Sequence, residues 1–315
     1  SIVGGVMGAG IAAAGFAAVN WPVMGKIAAS WVISPVLGGV MAAAFLAVLN
    51  NRVIYRQDKI AAARTWVPVL IGVMGGVFAT YMAMKGLKKI VSFSLGEAIL
   101  IGIAFAIPLA LLMRPVIRRQ SEGLENRVKS LKPLFSIPLV FSAALLSFAH
   151  GANDVANAVG PLAAIVHANE FGAFAGEVAI PMWVMVIGAF GISFGLMLFG
   201  PKLIRMVGSQ ITKLNPMRAY CVALSAAITV IIASWLGLPV SSTHIAVGAV
   251  FGVGFFREWY TSKSKRRRAY MSRKLGNVRP NGEPRPRPTA VSQPEEARRR
   301  MLVRRAHFTT IVAAW

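Results

Sequence analysis

A single cysteine, Cys221, among 315 residues excludes an internal disulfide. Carboxylates are scarce too: 11 Asp and Glu stand against 34 Lys and Arg, and charged residues make up 14% of the chain. Soluble domains carry about 25%. With only four histidines besides, the chain shows no hydrolase triad, no Walker-type loop and no metal-ligand cluster, which argues against an enzyme. What remains is apolar. Hydrophobic residues reach 56% and the mean hydropathy is +0.62. They fall in blocks near the roughly 17–25 residues that carry a helix across a bilayer. The class read from this is an all-α, polytopic, multi-pass membrane protein.

Apolar runs between charges predict spans at about 1–19, 31–49, 66–84, 97–113, 134–166, 179–199, 218–236 and 240–256, with a ninth starting near 307. Block 134–166 is too long for one simple span and is expected to break at Gly151. The net charge of +23 resembles a nucleic-acid signal, but its placement says otherwise. Loops 50–65, 114–133, 200–218 and 257–306 hold 30 of the 34 basic residues. That is the positive-inside pattern, with these loops cytoplasmic, and no nucleic-acid partner is expected. Residues 218–256 then leave and return as a hairpin.

Loop 257–306 is basic and rich in Pro and Gly, so it reads as a disordered cytoplasmic linker in contact with acidic lipid. The sequence opens inside one apolar block and closes as another begins. The expectation is a piece of a longer membrane protein. Its parts are the first-half remainder 1–113, the basic loop 114–133, a second half 134–256, the basic loop 257–306 and the start of a last helix at 307–315.

The ends carry a repeat. SIVGGVMGAGI (1–11) matches IAVGAVFGVGF (245–255) at Val3/Val247, Gly4/Gly248, Val6/Val250, Gly8/Gly252 and Gly10/Gly254. In the same order, IAASW (27–31) matches IVAAW (311–315). Loop charges orient the two copies oppositely. Inverted repeats, with broken or re-entrant helices at a midplane site, mark secondary transporters.

Ionisable groups at membrane depth are costly and therefore functional candidates. Two stretches hold them: GANDVANAVGP (151–161) and LPVSSTHIAVG (238–248). Both read as helix starts, the first capped by Asn153 or Asp154 after Gly151, the second by Ser241 or Ser242. Helix starts offer free N–H groups and a positive dipole end to an anion. Asp154 would repel that anion unless a cation, sodium or a proton, neutralised it. Asp154 with Asn and Ser/Thr oxygens is an oxygen cage suited to a small cation. His150 and His244 are possible proton carriers.

At these residues the chain resembles the inorganic phosphate transporter (PiT) family of cation–phosphate symporters. GANDVANAVGP is similar to the family signature and PVSSTH (239–244) to its second conserved element. The resemblance implies two inverted copies of this unit and phosphate uptake coupled to sodium or protons. It also implies that the first-half signature lies before Ser1 and the rest of the last helix beyond Trp315. It carries Asn153, Asp154, Asn157, Ser241, Ser242 and Thr243 over as site residues.

The roles assigned here are cation binding by Asp154, Asn153 and Ser242, and phosphate binding by Asn157, Ser241, Thr243 and the backbone at Gly151. No cofactor is expected beyond the transported cation. Expected partners are phosphate, sodium or proton, membrane lipids and, as an open matter, a second copy in a homodimer. The expected location is the cell membrane. Sulfate–proton symport on the same scaffold, an anion channel and a non-transporting receptor are the alternatives.

Overall fold

The computed structural model describes residues 2–86, 93–171, 180–210, 214–238 and 240–263. The expected basic loop 257–306 beyond residue 263, the helix start at 307–315 and the repeat copy at 311–315 lie outside the described residues. Within them the chain is helical, without strands: α1 Ile2–Ala14, α2 Trp21–Leu49, α3 Lys59–Tyr81, α4 Leu95–Gln120, the short α5 Leu131–Leu134, α6 Ser136–Phe171, α7 Met182–Gln210, α8 Pro216–Trp235 and α9 Ser242–Lys263.

Local chemistry sets the helix starts. Asn20 accepts from the Val23 N–H, Asp58 from Ala61 and Asn215 from Arg218, with a proline in the first turn of α2 and α8. Ser94 and Glu97 form a capping box at the head of α4. Gly15 and Gly237, both at positive φ, turn the chain after α1 and α8.

Six described helices are long and apolar enough to cross a membrane: Trp21–Ile54, Lys59–Met84, Leu95–Gln120, Ser136–Glu170, Met182–Pro201 and Pro216–Trp235. The hydropathy spans from 31 to 256 each fall within one helical run, to within a few residues. The first does not. Block 1–19 forms a 13-residue helix and a 3-10 turn at Phe16–Ala18. At 1.5 Å per residue, these 13 described residues rise about 20 Å. α2 in turn begins ten residues before the expected 31, taking in Lys26. Hydropathy reports where lipid is, whereas a lysine near a helix end leaves the backbone ladder intact.

The expected break at Gly151 is also absent: α6 runs unbroken through Gly151 and Pro161. A helix-interior glycine costs only about 1 kcal/mol relative to alanine, and apolar sequence flanks it on both sides. Asn153 and Asp154 are therefore mid-helix residues and not caps.

α8 lies at the centre. Two-thirds of its span window is buried (67%), against 6% for α7 and 11% for α4. Tyr220, Leu224 and Met217 on α8 join Leu46 and Leu49 of α2, Ile71 of α3 and Val250 of α9 in the main core. The buried Tyr220 hydroxyl donates to the Leu70 carbonyl at 3.0 Å.

Glycines set the two closest pairings. Gly72 and Gly76 of α3 face Ala106 and Gly102 of α4, with numbering that runs in opposite senses, so this pair is antiparallel. On α9, a Cβ at Gly248 or Gly252 would run into the backbone of Pro35 and Gly39 of α2. Small residues let helices approach closely where lipid gives no hydrophobic drive between them. The matched glycines of the repeat, Gly4 and Gly8 on α1, have no neighbour within 4 Å.

Replacing Gly252 with Val should force α9 off α2 and lower the thermal unfolding midpoint in detergent, consistent with an overpacking penalty of about 1–3 kcal/mol. Gly8→Ala should not lower the midpoint, since a Cβ there meets nothing within 4 Å and alanine is the better helix former.

Candidate functional site

Asp154 stands at the midpoint of α6, and three side chains donate to it. His150, one turn earlier, places Nε2 2.7 Å from Oδ2. Asn153 Nδ2 lies 3.1 Å from Oδ1. Ser242 Oγ, at the start of α9, lies 3.1 Å from Oδ1 and 3.3 Å from Oδ2, so one hydroxyl spans both carboxylate oxygens. Ser242 is almost completely buried (1% exposed), whereas the side chains of Asp154 and His150 keep 34% and 41% exposure. The carboxylate is thus held from the protein side and open on the other.

Helix geometry puts His150 and Asp154 together, since residues four apart share a face. Tertiary structure brings Ser242, 88 positions on, to the same carboxylate. Ser241 caps α9, its Oγ accepting the His244 N–H at 3.4 Å and its carbonyl the Ile245 N–H at 3.1 Å. Of the two expected helix starts, therefore, only the second exists. One positive dipole end faces the region, that of α9.

Asn153 is a clamp. Its Nδ2 also donates to the Val240 carbonyl at 3.0 Å, and its Oδ1 accepts from Ser234 Oγ at 3.5 Å. It ties α6 to the end of α8 and to the α8–α9 connection. Ser234 and the Val240 carbonyl were not read as site members from sequence. A lone serine in an apolar block and an anonymous peptide carbonyl carry no local signal.

The remaining expected residues lie around this cluster without joining it. Asn157 is half-buried one turn beyond Asn153 on the same face, and Thr243 is exposed; no side-chain hydrogen bond joins either to a described residue. A Cβ built on Gly151 would meet nothing within 4 Å, so the turn bearing His150 and Asp154 borders open space. His244 is half-buried on the first turn of α9.

Six membrane-length helices, one of them carrying a hydrogen-bonded carboxylate at its midpoint, define a multi-pass membrane protein with a polar site at membrane depth. The phosphate transporter family matches residues 1–315, and the chain belongs to that family. A Helicobacter pylori protein named "Putative phosphate permease" is 50% identical over 270 residues, covering 85% of this chain and 51% of that protein. The Arabidopsis thaliana "Inorganic phosphate transporter 2-1, chloroplastic" is 37% identical over 281 residues, covering 81% of this chain and 48% of its own length. The chain thus spans about half the length of these curated relatives. The solved structure titled "The sodium-dependent phosphate transporter" superposes with a TM-score of 0.74 at 34% identity, covering 87% of this chain and 68% of that one.

Asn153→Ala should release the α8–α9 connection from α6. The expected loss is about 1–3 kcal/mol of stability, because the buried Val240 carbonyl loses its donor. Thermal unfolding followed by tryptophan fluorescence reads it, with the exposed Thr65→Ala as the control that should not move.

Proposed function

We propose that this chain carries part of the machinery of a secondary transporter that imports inorganic phosphate together with sodium. The observation that carries the reading is Asp154, a carboxylate held in the middle of a 36-residue apolar helix by His150, Asn153 and Ser242. Family membership supports phosphate as the substrate, and the name of the structural neighbour supports sodium as the coupling ion.

Sodium binds at the open side of Asp154, while Ser242 and Asn153 hold the carboxylate from the protein side. It cancels the charge that would otherwise repel a phosphate. The anion then sits beside it, received by Asn157, Ser241 and Thr243 and by the N-terminus of α9, with the open space beside Gly151 leaving it room; the Gly151 backbone, held inside the unbroken α6, gives it no donor. Each ion makes the other's binding favourable. Two inverted repeats moving against each other would turn this coupled binding into alternating access. The cell membrane is the expected location.

The His150–Asp154 contact at 2.7 Å favours a second reading, in which a proton takes the place of sodium. A protonated imidazole neutralises Asp154 without any metal ion, and His244 on the first turn of α9 would extend the route.

Asp154→Asn in the full-length protein should reduce sodium-stimulated phosphate uptake by at least about tenfold, the loss of one charge-assisted contact of roughly 1.5–3 kcal/mol. Uptake of labelled phosphate into proteoliposomes measures it, and unchanged uptake with unchanged sodium dependence would refute the role given to Asp154.

A pH series separates the two cations. If sodium couples, uptake should need sodium at every pH and survive His150→Gln. If protons couple, uptake should instead rise with acidity, need no sodium, and be lost in that variant.

A further inference from the structure

A seam between α2 and α8 encloses a cavity of about 390 Å³, within the roughly 300–1,000 Å³ of small-ligand sites. Its walls are aliphatic, with Ile33 and Leu37 on α2 facing Ile232 and Leu236 on α8, and no lining residue is acidic. The one charged residue on the lining is Lys26. Ile33 and Leu236 are 61% and 56% exposed, so the seam opens sideways, toward the surface that bilayer covers.

From these features we infer that the seam binds one anionic phospholipid. Its phosphate lies on Lys26 and one acyl chain runs down the seam toward Leu37. Length supports this occupant. Eleven residues separate Lys26 from Leu37, a rise of about 16 Å, close to one leaflet of a roughly 30 Å core. Depth agrees as well. Trp21 at the start of α2 and Trp235 at the end of α8 are about half exposed at the same end of the seam, and tryptophans mark the membrane interface. Lys26 is therefore at headgroup level, where a lysine attracts anionic lipid.

The protein does not close the seam itself. Ser34 Oγ, buried on its wall, has no hydrogen-bond partner. A free phosphate ion fits poorly, because Lys26 is the one cation on the lining and most of the wall is hydrocarbon, with only the hydroxyls of Ser30, Ser34 and Thr229 among it. Val240 also lines the cavity, and its carbonyl holds Asn153. The bound chain thus touches the same peptide that positions the carboxylate cluster. The lipid acts as a wedge in the α2–α8 contact beside the site and not as a distant surface adsorbate.

The test uses the full-length protein in nanodiscs of phosphatidylcholine with trace photoreactive phosphatidylglycerol, diazirine on the acyl chain, and peptide mapping by mass spectrometry. Label is expected on α2 and α8 peptides containing Ile33 and Leu236. It should be competed by unlabelled phosphatidylglycerol and not by inorganic phosphate. Lys26→Gln should cut that labelling by about fivefold or more while leaving label on the lipid-facing α7 unchanged. Ala233→Phe, which fills the seam, should remove it without requiring any change at Lys26. Equal labelling in Lys26→Gln, competition by inorganic phosphate, or cross-linking of a cysteine at position 33 to residues 264–315 would overturn the proposal.

Discussion

Everything near the centre of this protein is arranged around the cost of keeping one carboxylate away from water. An isolated carboxylate moved into a low-dielectric interior costs several kcal/mol even after relaxation. Asp154 meets that cost with donors from His150, Asn153 and Ser242. These residues also join α6 to α8 and α9, so the solvation of one group becomes the attachment of three helices. The Asn153 clamp on Val240 makes the α8–α9 connection part of the site wall.

A buried ion pair is weak evidence for stability, since an apolar pair of the same volume packs at less cost. The bundle has better means of holding itself together. α8 supplies a hydrocarbon core, and glycine faces bring α3 onto α4 and α9 onto α2 at backbone contact. Against that background a half-exposed Asp154, open on one side, makes sense as a binding group. Its surroundings satisfy the carboxylate only partly and leave a place for a cation.

Two features at the edges depend on the same packing. The unbroken α6 is about 54 Å long at 1.5 Å per residue, far beyond a bilayer core, and it centres its polar residues at depth with apolar turns on both sides. The seam between α2 and α8 lies beside Gly38 and Gly39, which bring α2 close to α9.

The amino-acid sequence alone determined the class and most of the spans, and it marked Asp154, Asn153 and Ser242 as chemistry-bearing residues. Those features follow from composition and from the cost of placing a carboxylate or amide among apolar residues, and both are local properties. The sequence misled where backbone continuity was at issue. Gly151 read as a break, yet the glycine penalty is too small to interrupt a helix that apolar flanks hold at both ends. Block 1–19 read as one continuous run, yet Gly15, at positive φ, ends α1 before the block does. What only the tertiary structure decided is which partners meet. Ser242 on Asp154, Ser234 and Val240 on Asn153, and the Lys26 seam join residues tens to hundreds of positions apart. No local pattern encodes such contacts, because helix crossings set by glycine and proline positions on other helices determine them.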